Sequence, residues 1–299
     1  MKPAGSTLYH PGVRSRKSAI ILLGLCLGAS SVRATDTGVR ELALGLQAQR
    51  NGQMEQAEKF YREALDKNPR SVVAHQYLGI LLIATGRREE GSQHISVALA
   101  LEPKSAAVRT EIAKALSRLG YVADSERLLR EAIQLDPQYA PACRTLAEVL
   151  FALGRKEEAA RTFKALTVLD RYDAQTHRDY GKVLYQLGQK AEAQKEIQEA
   201  ARLQPRDVSV LFELALLQAE RGATNEAEKT YRRIVELNAK FPEAYNNLGM
   251  LYIVGGHRDD AIPMFERARD AYADQNNTNE VERLDRILKE LKPQIPGFP

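Results

Sequence analysis

The chain has 299 residues, 44% of them hydrophobic and 27% charged, too apolar to stay disordered and long enough for a globular body or two. Its formal charge of +4 is confined to one end: Lys2, Arg14, Arg16, Lys17 and Arg33 lie in the first 34 residues, which contain no acid. Against totals of 43 basic and 39 acidic residues, the remainder holds one more acid than base, which excludes an overall electrostatic case for nucleic acid.

At the N-terminus a basic stretch, Arg14 to Lys17, precedes the apolar run AIILLGLCLGA from Ala19 to Ala29 and then the small and polar SSVRA. That order is the order of an export signal. The run is about half the roughly 20 apolar residues that a spanning helix requires, so residues 1–34 are expected to be a cleaved signal peptide. Cleavage falls after Ala34, with Ala29 as an earlier alternative. Retained, the same segment is a membrane anchor and the chain's only membrane contact. Lipidation at Cys26 is disfavoured by the bulk of Leu25 before it. The mature chain keeps one cysteine, Cys143, which leaves no internal disulfide to stabilise the fold.

From Gly38 onward the sequence repeats every 34 residues, in seven segments: 38–71, 72–105, 106–139, 140–173, 174–207, 208–241 and 242–275. The fifteenth position is Gly52, Gly86, Gly120, Gly154, Gly188, Gly222 and Gly256 without exception. Before it, apolar residues recur at helical spacing, as in Ala142, Leu146, Val149, Leu150 and Leu153; after it a second apolar face follows through Ala159, Phe163 and Leu166. Glycine at the junction suits a helix end, where the chain turns left-handed and a side chain is costly. Each segment therefore reads as helix, tight turn, helix. The eighth position holds Gly45, Gly79, Ala113, Ala147, Gly181, Ala215 and Gly249, and the twentieth Ala57, Gly91, Ser125, Ala159, Ala193, Ala227 and Ala261. Small residues on both helices let the axes approach, while Tyr61, Ile95, Leu129, Phe163, Ile197, Tyr231 and Phe265 fill the space beside them. Pro69, Pro103, Pro137 and Pro205 end the second helix of their segments.

After the last segment, Asn277 to Glu280 has the spacing of a capping box, and Val281, Leu284, Leu288 and Leu291 form one apolar stripe. Residues 276–292 are expected to be a capping helix that covers the exposed face of the final segment, and residues 293–299 an irregular tail.

The pattern of a large residue, Leu-Gly, an aromatic, then Ala, Phe, Ala and Pro in 34 positions resembles the tetratricopeptide repeat. The last segment carries it best, with Tyr245, Leu248, Gly249, Tyr252, Ala261, Phe265 and Ala268. Two departures stand out. The fourth position, usually large, reads Glu41, His75, Arg109, Cys143, His177, Leu211 and Tyr245, and Leu166 and Ile234 occupy places where the family prefers alanine. The resemblance implies an all-α fold, a right-handed superhelical solenoid of antiparallel helix pairs whose first helices line the concave side. With the signal, the seven segments and the capping helix accounted for, no segment is long enough for a catalytic domain, so the chain is expected to be a non-enzymatic scaffold for protein or peptide partners, with an enzyme carrying an unrecognised site as the remote alternative. Together with the signal, the resemblance points to the periplasm or the exterior and to envelope assembly, secretion or polymer export.

On that geometry the second, fifth, ninth, twelfth and thirteenth positions face the groove. Its ends are apolar, with Leu42, Leu46, Val73, Ile80 and Ile83 at one side and Phe212, Leu216, Met250, Ile253 and Val254 at the other. Its centre is basic: Lys114, Arg118, Arg144, Arg178 and Lys182, with Phe151 and Tyr185 among them and Glu148 as the acid. These seven basic and aromatic residues are the candidate partner-binding site, suited to a segment that carries carboxylates. The alternative is a solvated face whose cations pair locally, since Glu111 and Asp179 lie one position away. No segment sets lysine at the fifth and asparagine at the ninth position, the arrangement by which carboxylate-clamp relatives hold a chain terminus. No catalytic, metal or cofactor residues are expected. His257-Arg258-Asp259-Asp260 aligns with Arg155-Lys156-Glu157-Glu158, so it reads as a turn with acids at a helix start. His75 and His177 are three repeats apart and are read as packed helix residues.

Overall fold

A computed structural model describes residues 38–291; the expected signal peptide and tail lie outside them. The described residues form fifteen α-helices and no strand. In chain order these are α1 (Val39–Arg50), α2 (Met54–Lys67), α3 (Val72–Ala84), α4 (Arg88–Leu101), α5 (Ala106–Arg118), α6 (Val122–Leu135), α7 (Ala140–Ala152) and α8 (Lys156–Leu169). They continue as α9 (Ala174–Gln186), α10 (Lys190–Leu203), α11 (Val208–Glu220), α12 (Thr224–Leu237), α13 (Pro242–Val254), α14 (Arg258–Asp274) and α15 (Thr278–Leu291). The described residues divide after Gly154 into two compact bodies. Among the described residues no helix is long and apolar enough to cross a membrane.

The glycine at each junction adopts a left-handed conformation, φ between 76° at Gly52 and 96° at Gly86. The turn ends the first helix by exposing its last carbonyls to the backbone N–H groups that follow, as when Gln189 N–H donates to Leu184 O at 2.9 Å. The small eighth and twentieth positions do what their size allows. A Cβ on Gly79 would lie 2.8 Å from the Gly91 carbonyl oxygen, and one on Gly91 would lie 2.5 Å from that of Gly79. The two backbones of α3 and α4 therefore touch at that level. Tyr61, Phe163, Tyr231 and Phe265 are fully buried beside the small positions, each contributing roughly 1.5–3 kcal/mol if scaled as a Phe-sized side chain. Leu166 and Ile234, the larger residues at family alanine positions, are buried at 1% and 0% exposure, so the local packing accepts them.

Six of the seven first helices start on one of two kinds of signal. Ser71, Ser105, Asp173 and Asp207 cap α3, α5, α9 and α11 by accepting backbone N–H bonds. Where an aromatic takes that place, at Tyr139 and Phe241, a proline sits in the first turn of α7 or α13 and removes a donor instead. In α15 the Glu280 N–H donates to Asn277 Oδ1 at 3.4 Å, and Leu284 and Leu288 are buried. Arg258 of α14 donates to the Leu291 carbonyl at 2.9 Å and to that of Glu290, closing the C-terminal end of α15. The charged turn at His257 to Asp260 thus begins α14, with Asp259 and Asp260 in its first turn, and its arginine holds the last helix in place.

Candidate functional site

The seven candidate residues fall on first helices in two groups. In the N-terminal body, Lys114 of α5 is half-buried and donates to Glu111 at 2.8 Å, one turn earlier on the same helix. Arg118 stands exposed in the last turn of α5, while Arg144 and Phe151 of α7 are half-buried. In the C-terminal body, Arg178 of α9 makes a forked pair with Glu213 of α11: Nε lies 3.0 and 3.1 Å from the two carboxylate oxygens and Nη2 lies 2.6 Å from one. The hydrogen bonds to Glu213 hold the Arg178 guanidinium well above the usual arginine range. Lys182 approaches the same carboxylate at 3.4 Å. Tyr185 faces Lys190, whose Nζ lies 5.9 Å from the ring centroid, and Lys190 also pairs with Glu220 at 2.5 Å. Burial, with a hydrogen bond to Glu220, pushes the Tyr185 hydroxyl upward.

Local pairing on one helix holds for Lys114 and not for Arg178. Asp179, expected as the neighbour of Arg178, instead accepts both bonds from Gln175, one turn back on α9. The arginine reaches forward 35 residues to Glu213, one repeat plus one position. Glu213 and Glu220 are the residues that sequence reasoning missed. For Glu213 the signal was the acid at the sixth position of the following repeat, where a fork between planar guanidinium and carboxylate binds it; Glu220 stands at the thirteenth position.

The apolar ends differ from the expectation at the N-terminal side. Leu46, Ile80 and Ile83 are buried at 8%, 2% and 5% exposure and belong to the core. At the C-terminal side Leu216, Met250 and Val254 are 43%, 44% and 78% exposed, with Phe212 and Ile253 half-buried beside them in the repeat register. Leu216 and Met250 occupy the same ninth position in consecutive repeats. An aliphatic row of this kind gains from being covered, at about 25 cal/mol per Å² removed from water.

The fourth position, where an apolar residue was replaced by polar ones, is a series of pairs within repeats. Glu41 meets Lys67 at 2.6 Å, His75 meets His94 at 2.9 Å between Nδ1 atoms, Arg109 meets Glu131 at 3.5 Å, and His177 meets Glu196 at 2.7 Å. Each joins the first helix to the second helix of its own repeat. Cys143 in the same series is a half-buried free thiol, pushed up by burial. Among the described residues no group of three or more His, Cys, Asp or Glu side chains could hold a metal ion.

Tandem helix pairs with a left-handed glycine at every junction, small residues where the helices meet, and polar and apolar side chains displayed along the first helices define an α-helical repeat protein. Sequence profiles described as tetratricopeptide repeat match residues 48–119, 120–177, 179–245 and 242–275; the chain belongs to the tetratricopeptide repeat family. Among solved structures it is similar to the C-terminal part of a TPR repeat-containing protein from Cytophaga hutchinsonii, at 14% identity and a TM-score of 0.65 over 82% of this chain and 98% of that one. It is also similar to YrrB, described as a TPR protein with an unusual peptide-binding site, at 21% identity and 0.55 over 63% and 97%. MamA aligns at 21% identity and 0.52 over 56% and 97%. At these identities the likeness concerns the fold. No curated protein matches the chain.

Proposed function

We propose that this protein is an exported, non-enzymatic scaffold that binds protein or peptide partners on the faces of its first helices and serves the assembly or secretion of envelope-associated complexes. The observation that carries this reading is the exposed aliphatic row of Leu216, Met250 and Val254, which continues in register from Lys182 and Arg178. A partner segment with aliphatic side chains gains affinity from the row. Carboxylates on the segment gain orientation from the Arg178 fork, exchanging with Glu213. A peptide-binding site on a similar fold, as in YrrB, agrees with this use of the helices. Export rests on the basic, apolar and small-residue order of residues 1–34.

The test is capture from an envelope extract with wild type, with Leu216→Ser/Met250→Ser and with Arg178→Glu/Lys182→Glu, followed by identification of what binds. The aliphatic variant should lose the partner while keeping wild-type helicity, because both side chains are already exposed; the charge-reversal variant should weaken it and reduce its salt dependence. Unchanged capture by both folded variants overturns the assignment. N-terminal sequencing after fractionation separates the modes of export. A soluble product starting near Thr35 is expected, and a membrane-bound product beginning at Met1 makes the protein a tethered assembly factor.

A further inference from the structure

The outer grooves between successive repeats share one register and are not filled alike. Between α2 and the start of α4 four charges close the groove. Arg62 donates to Glu58 at 2.9 Å and to Glu90, and Arg87 donates to both oxygens of Glu58 at 2.7 and 2.9 Å and also to Glu90. The positions three repeats later are Ala160, Lys164, Gln189 and Glu192. Alanine thus stands where Glu58 receives two arginines and glutamine where Arg87 does, while Lys164 keeps the charge of Arg62 and Glu192 that of Glu90. A second partner is lost as well. Lys59 approaches Glu63 at 3.9 Å in the first groove, whereas its counterpart Arg161 has Ala165 one turn on. The result is a cavity of about 210 Å³ in the C-terminal body, lined by Ala160, Leu184, Leu187 and Tyr180, with Arg161 and Lys164 on its wall together with Glu157 and Gln189. Among the described residues, neither Arg161 nor Lys164 makes a side-chain hydrogen bond or ion pair. Glu157 does not account for the difference, because Glu55 occupies its position in the closed groove too.

We propose that this outer cavity is a docking site for a glutamate side chain of a partner polypeptide, which supplies the carboxylate that Glu58 supplies internally in the first groove. The volume is below the roughly 300–1,000 Å³ of pockets for drug-sized ligands and suits a single side chain. Leu184, Leu187 and Ala160 receive its methylenes, and Lys164 and Arg161 receive its charge. Two like-signed cations left without a partner beside an apolar floor complement an anion with a short aliphatic stem. The site is built by α8 with Tyr180, Leu184 and Leu187 from α9 and its end, none of them among the seven candidate residues, and goes beyond the function proposed for those.

The experiment titrates the isotope-labelled full chain with N-acetyl-glutamate N-methylamide, with its glutamine counterpart and with inorganic phosphate, reading backbone amide shifts. Expected are saturable shifts confined to α8, the end of α9 and the turn after it, with the glutamine probe at least about 10-fold weaker for loss of the charge-assisted bonds. Ala160→Glu restores the internal carboxylate and should abolish the shifts. Lys164→Gln, at an exposed position, should weaken them several-fold and keeps the test decisive if the first variant misfolds. The proposal is overturned by the absence of saturable shifts in wild type, by equal affinity for the glutamine probe or phosphate, or by wild-type binding in both folded variants.

Discussion

The second and fifth repeats share a histidine at the fourth position, glycine at the eighth and fifteenth, and a large aliphatic at the twenty-fourth, yet two other positions give them different physics. At the twentieth, the second repeat has Gly91 and the fifth Ala193; at the twenty-third, His94 replaces Glu196. A Cβ on Gly79 would press on backbone, the Gly91 oxygen at 2.8 Å, whereas one on Gly181 would press first on Ile197 Cδ1 and Cγ1 at 2.7 Å and only then on Ala193 O at 3.2 Å. The second repeat is limited by main chain, which cannot turn aside. The fifth is limited by a rotatable side chain. Equivalent positions in a repeat array therefore do not carry equivalent tolerances, and the pairing at the twenty-third position separates the two repeats by their response to acid.

The largest effect that sharpens this contrast is Gly79→Val, expected to cost about 3 kcal/mol through overpacking in urea unfolding followed by far-UV circular dichroism. Gly181→Ala should cost less than about 1 kcal/mol, since Ile197 can yield and alanine recovers up to about 1 kcal/mol of helix propensity. Equal losses would erase the distinction. Next come the caps. Asp173 accepts from Gln175 N at 3.2 Å, Thr176 N at 3.3 Å and Thr176 Oγ1 at 2.6 Å, while Ser71 accepts from Ala74 N at 3.3 Å. Asp173→Ala should cost about 1–2 kcal/mol and Ser71→Ala about 0.5–1 kcal/mol, so a reversed order would contradict this account of the helix starts.

The smallest effect is the pH response. Burial, then His75 and Arg62, push His94 below the usual histidine range, against a smaller opposing influence of Glu90. The folded state therefore binds a proton there less readily than the unfolded chain, and stability should fall as pH drops below about 6.5. It should level off once pH is below the depressed value in the folded state. His94→Gln should flatten that segment of the stability profile. A profile that His94→Gln does not alter would remove the second repeat as the source.

The repeat length, the junction glycines and the small contact positions were legible because they stand at identical places in every copy. Contacts between copies were not, because they join unlike positions. Arg178 finds Glu213 at the sixth position of the next repeat, and Arg62 finds Glu90 at the nineteenth. Alignment by column separates such partners. The exposed aliphatic row at Leu216 and Met250 was readable, since one position is apolar in consecutive copies, while the burial of Ile80 at the same position was not, since it depends on what lies over it. The cavity at Ala160 was hidden for a related reason. An alanine on an outer helix face draws notice only when the glutamate it replaces is known to be closing a groove.

The junction glycines carry one more consequence, which concerns handedness. At all seven, from Gly52 to Gly256, a Cβ would meet no heavy atom within 4 Å, so only the positive φ excludes an L side chain. A D-alanine prefers that same region. Placed at Gly188 by chemical ligation, it should stabilise the protein by about 0.4–1 kcal/mol by restricting the unfolded chain, where L-alanine at the same atom count should destabilise it by about 1 kcal/mol. The turns of this array select chirality, and size is left free.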